Sequence, residues 1–194
     1  MKKLLFLTAI ALLTVNISIS QEDTSSDLGI RFGAKAGANF ATLSKDEGFK
    51  PDMKTGFHVG GVVNIGISEK FSVQPEVVYS SQGFKEKSDG VTYTAKLNYI
   101  NVPIMAEYKI IDGLTAQAGP QFGINVTAKD DDGNDINDIK TLDIGVGFGA
   151  QYELDFGLFF QARYVLGLNK IFDVDGGGDF KNRVISLSAG YFFN

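Results

Sequence analysis

The chain has 194 residues, a formal net charge of −5, and neither cysteine nor tryptophan. Its length suits one domain. The acidic balance argues against a nucleic-acid partner, because phosphate contacts need a basic surface. Without cysteine there is no disulfide and no thiolate metal site, and no other pattern indicates a metal or a cofactor.

The N-terminus has the pattern of a secretory signal peptide. Two lysines precede an uncharged apolar run over 4–15, and small residues at Ser18 and Ser20 suit cleavage before Gln21. A helical membrane anchor is the alternative, but the run is short for a hydrocarbon layer of about 30 Å. The predicted organisation is a signal peptide at 1–20, a short N-terminal extension at 21–29 and a barrel domain at 30–194.

Strict alternation of apolar and polar residues dominates the rest of the chain. Between Leu142 and Leu154 every second residue is apolar, whereas glycines and polar residues fill the other positions. This period of two predicts strands with one apolar face. Phe159 and Val165 are exceptions within their segment. The predicted strands cover 30–40, 55–67, 71–82, 95–110, 114–127, 142–154, 158–169 and 184–193.

The connections between these segments alternate between short and long. Short connections lie at 68–70, 111–113 and 155–157, and long polar ones at 41–54, 83–94, 128–140 and 171–183. This alternation is typical of outer-membrane barrels. We predict an all-β, eight-stranded, antiparallel up-and-down transmembrane β-barrel in the bacterial outer membrane, with both termini on the periplasmic side.

The apolar face must point either into lipid or into the barrel. A soluble lipocalin-like carrier has the second arrangement. Glycines crowd the polar face, which suits a narrow interior, and aromatic residues near the short connections resemble an interfacial girdle. We therefore expect the apolar face to contact lipid. The expected girdle residues are Phe32, Phe71, Tyr108, Tyr152, Tyr191 and Phe193.

Charged residues of both signs lie on the predicted inner face. Buried charges need partners, so an ion-paired polar core is expected, with a narrow path for ions or solutes as the functional alternative. The predicted lumen network consists of Arg31, Lys35, His58, Glu76, Glu107, Lys109, Asp143, Glu153 and Arg163.

No catalytic residue is predicted. His58 is the only histidine, so a Ser–His hydrolase acting on lipids would depend on it. Its neighbours on the same strand face are Gly56 and Gly60, not serines, which favours a structural role. Two acidic loops, around Asp130 and Asp175, lack EF-hand spacing, and calcium binding there is a minor alternative.

Three prolines lie inside predicted strands: Pro75, Pro103 and Pro120. Proline has no N–H to donate to a β-ladder. Pro103 and Pro120 lie at similar distances from the turn at Asp112 and should face each other. We expect one local bulge or interruption there.

Several segments, in order along the chain, resemble the PorT-like "porin family" of outer-membrane barrels. The resemblance implies a barrel fold and, from the family's namesake, a link to protein secretion; it supplies no catalytic residue. The final Asn194 departs from the usual terminal phenylalanine. The similar segments are 33–40, 75–80, 99–103, 119–123, 163–169 and 189–193.

The expected function is a non-enzymatic structural, binding, envelope-assembly or secretion role. A narrow passive channel is the main alternative; a lipid-modifying enzyme and a soluble carrier are the others. The expected partners are outer-membrane lipid, the barrel-assembly machinery during biogenesis, and a ligand of the extracellular loops whose identity the sequence does not give.

Overall fold

A computed structural model describes residues 29–44, 51–88, 91–136, 139–172 and 179–193. The predicted signal peptide lies outside the described residues, as do most of the N-terminal extension, Asn194, Asp173 and Asp175. In the described parts of the chain, no helix is long and apolar enough to cross a bilayer.

Eight antiparallel strands form a closed ring in which each strand pairs with its sequence neighbours and β1 pairs with β8. The predicted fold is confirmed. The strands are β1 Ile30–Leu43, β2 Asp52–Gly66, β3 Phe71–Ser88, β4 Val91–Ile111, β5 Leu114–Lys129, β6 Leu142–Glu153, β7 Leu158–Gly167 and β8 Asn182–Phe193.

The apolar face of the barrel points outward. Val77 is 58% exposed, whereas the preceding Glu76 is 2% exposed. All six predicted girdle residues are exposed, and the rings of Phe71 and Tyr108 lie 4.9 Å apart between centroids. An outward apolar surface of this kind suits lipid rather than water, which excludes the carrier arrangement.

The predicted long loop at 83–94 is wrong. β3 and β4 continue as a hairpin to the pair Ser88–Val91, so only two residues of the chain separate the strands. The alternation fades there because apolar outward residues are required only within the hydrocarbon layer. Gly83, with φ of +131°, lies in this extension opposite Lys96.

Of the two outcomes predicted at Pro103 and Pro120, a bulge or an interruption, the structure shows the interruption and not the bulge. Pro103 pairs with Gln121, and the next recorded pair, Ala106 with Ala118, keeps the same register. The ladder is interrupted between these pairs without a shift. A proline removes one donor but does not by itself add the extra residue that a bulge needs.

Apolar side chains also lie inside the barrel towards both ends. Phe159 breaks the alternation because it points inward, where its ring centroid lies 4.8 Å from that of Phe192 near the short turns. Val165 packs inside with Ala41 and Val184. The cluster near the long connections contains Leu43, Leu97, Tyr99 and Ile171.

Candidate functional site

A buried ion cluster lies in the middle of the barrel. The Nζ of Lys35 lies 2.6 Å from Oε2 of Glu76. Arg163 binds both carboxylate oxygens of Glu76, at 2.9 Å through Nη1 and 2.7 Å through Nη2. These side chains come from β1, β3 and β7 and are each no more than 5% exposed. The cluster therefore links β1 and β7 to β3 through the carboxylate of Glu76.

Glutamine side chains surround the ion cluster. The Oε1 of Gln161 accepts a hydrogen bond from Lys35 at 2.8 Å. The Oε1 of Gln117 accepts from Arg163 and from Gln161, both at 3.0 Å. Gln74 donates to Glu76 at 3.0 Å. These glutamines occupy inward positions but were not among the predicted network residues, because only charged groups and histidine were considered.

Glu107 lies in the same interior but has neutral partners. Its carboxylate accepts hydrogen bonds from Asn64 at 2.7 Å, from Ser72 at 2.9 Å and from Gln117. Gln117 also binds Arg163, so it connects Glu107 to the ion cluster. Three donors can satisfy a buried carboxylate without a direct cation.

His58 lies in a Ser–His–Asn arrangement. Its Nδ1 is 2.8 Å from Oδ1 of Asn39, and its Nε2 is 2.8 Å from Oγ of Ser188. Ser188 was not predicted as a partner of His58, because only neighbours on the same strand were considered. Gly37 of β1 pairs with His58 on one side and with Ser188 on the other. Since Gly37 has no side chain, His58 reaches across β1 to β8.

The nine predicted network residues do not form one cluster. Arg31 and Glu153 pair near the short turns, where Arg31 also stacks 4.3 Å above the ring of Phe192. Lys109 lies 3.8 Å from Asp112 in a short turn. Asp143 lies towards the other end and accepts a hydrogen bond from Asn182 at 2.8 Å. Alternation shows that all of these residues lie on the inner face but not at which depth, so it predicted one cluster where the structure has several.

The interior leaves little free space. The void among Lys35, His58, Glu76 and Arg163 measures about 30 Å³, which is room for about one water molecule. A polar bowl of about 380 Å³ opens at the short-turn end and is lined by Arg31, Glu107 and Glu153 among others. In the described ranges, no three histidine, aspartate or glutamate side chains are placed to hold a metal ion.

The sequence matches a family model described as "Outer membrane protein beta-barrel domain" over residues 19–173. The chain belongs to this outer-membrane barrel family. Membership implies the bacterial outer membrane as the location and agrees with the outward apolar surface. No curated protein sequence matches the chain.

Solved outer-membrane barrels have the same fold. The crystal structure of Ail, the attachment invasion locus protein of Yersinia pestis, was determined with the heparin analogue sucrose octasulfate. Ail is 19% identical to this chain. The alignment covers 84% of this chain and 99% of the Ail chain, with a TM-score of 0.54. Neisserial surface protein A is 17% identical to this chain. The alignment covers 85% of this chain and 99% of that protein, with a TM-score of 0.58. At these identities the likeness establishes the fold alone.

Proposed function

We propose that this outer-membrane barrel is a non-conducting, non-enzymatic scaffold that presents its long connections at the cell surface, with both termini in the periplasm. The closed interior is the observation that supports this proposal. A barrel whose middle is filled by ion pairs and glutamines leaves its loops, its lipid-facing wall and the polar bowl at its short-turn end as the surfaces open to a partner.

The channel alternative is less well supported. Ions need a continuous hydrated path, whereas the central void of about 30 Å³ is lined by groups already hydrogen-bonded to one another. Opening a path would require Lys35, Glu76 and Arg163 to give up these hydrogen bonds and rearrange.

A hydrolase function is also less well supported, despite the Ser–His–Asn arrangement. Ser188 is 7% exposed and His58 is 4% exposed. A nucleophile needs space for a substrate carbonyl about 3 Å away, and the void that His58 lines measures only about 30 Å³. We assign the arrangement a structural role.

The partner of the loops differs in chemistry from the sulfated compound in the Ail structure. The described part of the β5–β6 connection carries four aspartates, which repel a polyanion. The family resemblance to PorT suggests a protein partner in secretion or envelope assembly. These aspartates are Asp130, Asp131, Asp132 and Asp135.

Planar-bilayer recording of the refolded protein tests the closed interior. We expect no discrete conductance steps from wild type after insertion is verified by heat modifiability. An Arg163→Ala/Phe159→Ala variant, which removes a central and a terminal part of the filling, serves as the sensitivity control. Reproducible steps from wild type that differ in size in this variant would establish a channel instead.

Cysteine labelling tests the topology, because the chain has no native cysteine. Asp131→Cys in the β5–β6 connection should react with a membrane-impermeant maleimide on intact cells. Asp112→Cys in the β4–β5 turn should react only after the outer membrane is permeabilised. The reverse result would place the termini outside and contradict the proposed topology.

A further inference from the structure

A groove of about 800 Å³ lies on the outer wall of the barrel, towards its long-connection end. One row of outward side chains crosses four strands there, since Phe40 pairs with Ile185, Ile185 with Tyr164, and Tyr164 with Phe148. Ala162 has a small side chain and forms part of the floor of the groove beside this row, and Met53 lines the groove from β2. Cavities of about 300–1,000 Å³ bind small molecules.

Arg183 lies in this groove one row nearer to the long connections. It points outward, pairs with Thr42 on β1 and with Leu166 on β7, and is exposed. It stands about ten residues before Phe193 of the opposite girdle, and about that many tilted residues cross the hydrocarbon layer. Arg183 therefore lies at the level of the lipid headgroups.

The charges around the groove favour an anion. Within the described ranges Arg183 has no ion-pair partner, whereas the carboxylate of Asp52, which also lines the groove, is held by Lys87 at 3.0 Å. The planar guanidinium group binds a phosphate through two parallel hydrogen bonds. An apolar trough that ends at an outward arginine matches an acyl chain joined to a phosphate.

We propose that this groove is a specific site for a membrane lipid whose headgroup is an anionic phosphomonoester, with an acyl chain along the Phe40–Phe148 row and the phosphate on Arg183. The bound lipid belongs to the leaflet that meets the long connections. Its assignment to the outer leaflet rests on the topology proposed above, but the site itself requires only the membrane-embedded barrel.

Brominated lipids can test this site in a chain that has no native tryptophan. Tyr164→Trp places a single fluorophore on the groove wall. Tyr79→Trp on β3, which is also outward-facing, places one on the opposite wall of the barrel as the matched control. Each variant is reconstituted with increasing mole fractions of brominated phosphatidic acid or brominated phosphatidylcholine, and its folding is checked by heat modifiability.

We expect the tryptophan at position 164 to be quenched at about fivefold lower mole fractions of phosphatidic acid than of phosphatidylcholine, the range of one partly exposed charge pair. Adding Arg183→Gln should abolish this preference, Arg183→Lys should retain part of it, and position 79 should show none. Equal quenching by both lipids at position 164, an equal preference at both positions, or a preference that survives Arg183→Gln would each overturn the site.

A second measurement avoids the tryptophan substitution. Native mass spectrometry of wild type released from mixed micelles should show one retained phosphatidic acid, and Arg183→Gln should lose it. Free inorganic phosphate should not compete, because it lacks the acyl chain; competition would overturn the lipid assignment. A co-purifying polypeptide that shields position 164 from both lipids would show that a protein occupies the groove. Neither conductance nor cysteine labelling affects these outcomes, so the scaffold proposal and the lipid site can fail separately.

Discussion

The imidazole of His58 reaches Ser188 across the strand between them, with Nε2 and Oγ 2.8 Å apart. The two residues belong to β2 and β8, and Gly37 of β1 pairs with both. Together with the bond from His58 to Asn39, this contact ties the first and last parts of the chain at the seam where the barrel closes.

The His58–Ser188 bond should contribute measurably to stability. Ser188→Ala leaves a buried imidazole nitrogen without its partner, which costs about 1–3 kcal/mol, measured as the free energy of unfolding in urea with the protein in micelles. Ser186→Ala is the matched control on the same strand, because the hydroxyl of Ser186 makes a long and therefore weak hydrogen bond, 3.5 Å, to the carbonyl of Arg163. Equal losses from the two variants would contradict the assignment.

Gly37 should be irreplaceable for a steric reason. A Cβ added there would lie 2.0 Å from the carbonyl oxygen of Leu187 and 2.7 Å from Cε1 of His58. Gly37→Ala should therefore lower the yield of the heat-modifiable form sharply. Gly61→Ala should fold normally, since its Cβ would meet only the carbonyl oxygen of Gly33 at 3.9 Å. A fully folded Gly37→Ala protein would show that β1 and β8 can separate more easily than this packing allows.

Neutralising Glu76 should destabilise the barrel strongly. Glu76→Gln leaves Lys35 and Arg163 as buried cations, and breaking a buried pair in this way costs about 3–5 kcal/mol. Adding Lys35→Met should recover part of the loss, because one uncompensated charge is removed. Urea unfolding measures both effects.

The exposed pair Asp52–Lys87 provides the control for Glu76, because its side chains are 52% and 70% exposed. Asp52→Asn should change the unfolding free energy by no more than about 1 kcal/mol. A Glu76→Gln protein as stable as Asp52→Asn would mean that water reaches the central cluster.

Ser188 should not react as a hydrolase nucleophile. Because Ser188 is buried and the void lined by its partner His58 holds about one water molecule, a fluorophosphonate probe should not label the folded protein. Labelling that disappears in Ser188→Ala would contradict this expectation and restore the enzyme hypothesis.

The β5–β6 connection should loosen in acid. The carboxylate of Asp130 accepts hydrogen bonds from the backbone N–H of Asn134 at 2.8 Å and from its side chain at 3.1 Å, and these bonds lower the pKa of Asp130 below its usual value. A lowered pKa means that the stabilisation is complete above the ordinary aspartate pKa and is lost as pH falls through the lowered value. The protection factor of the Asn134 amide, which is its intrinsic exchange rate divided by the rate that NMR measures at the same pH, should fall in that acid range.

Two substitutions separate this local effect from general acid unfolding. Asp130→Asn should accelerate exchange of the Asn134 amide at neutral pH, whereas Asp132→Asn should not. Exchange that depends on pH in the same way with and without Asp130 would exclude the turn as its cause.

The alternation of the sequence was sufficient to predict the strands, the closed ring and the outward direction of residues such as Val77. In a strand that crosses a bilayer, each side chain faces either lipid or the barrel interior, and successive side chains alternate between the two. The signal peptide and the periplasmic position of the termini remain predictions.

The tertiary structure decided which inward residues meet. Alternation places Arg31 and Arg163 on the same face, but strand register and shear put them at different depths, one with Glu153 and the other with Glu76. The contact between His58 and Ser188 could not be predicted from alternation either. It crosses an intervening strand and is possible because Gly37 has no side chain there. Where the wall leaves the bilayer, as at 83–94, the sequence lost its periodic signal, and only backbone pairing could extend the hairpin.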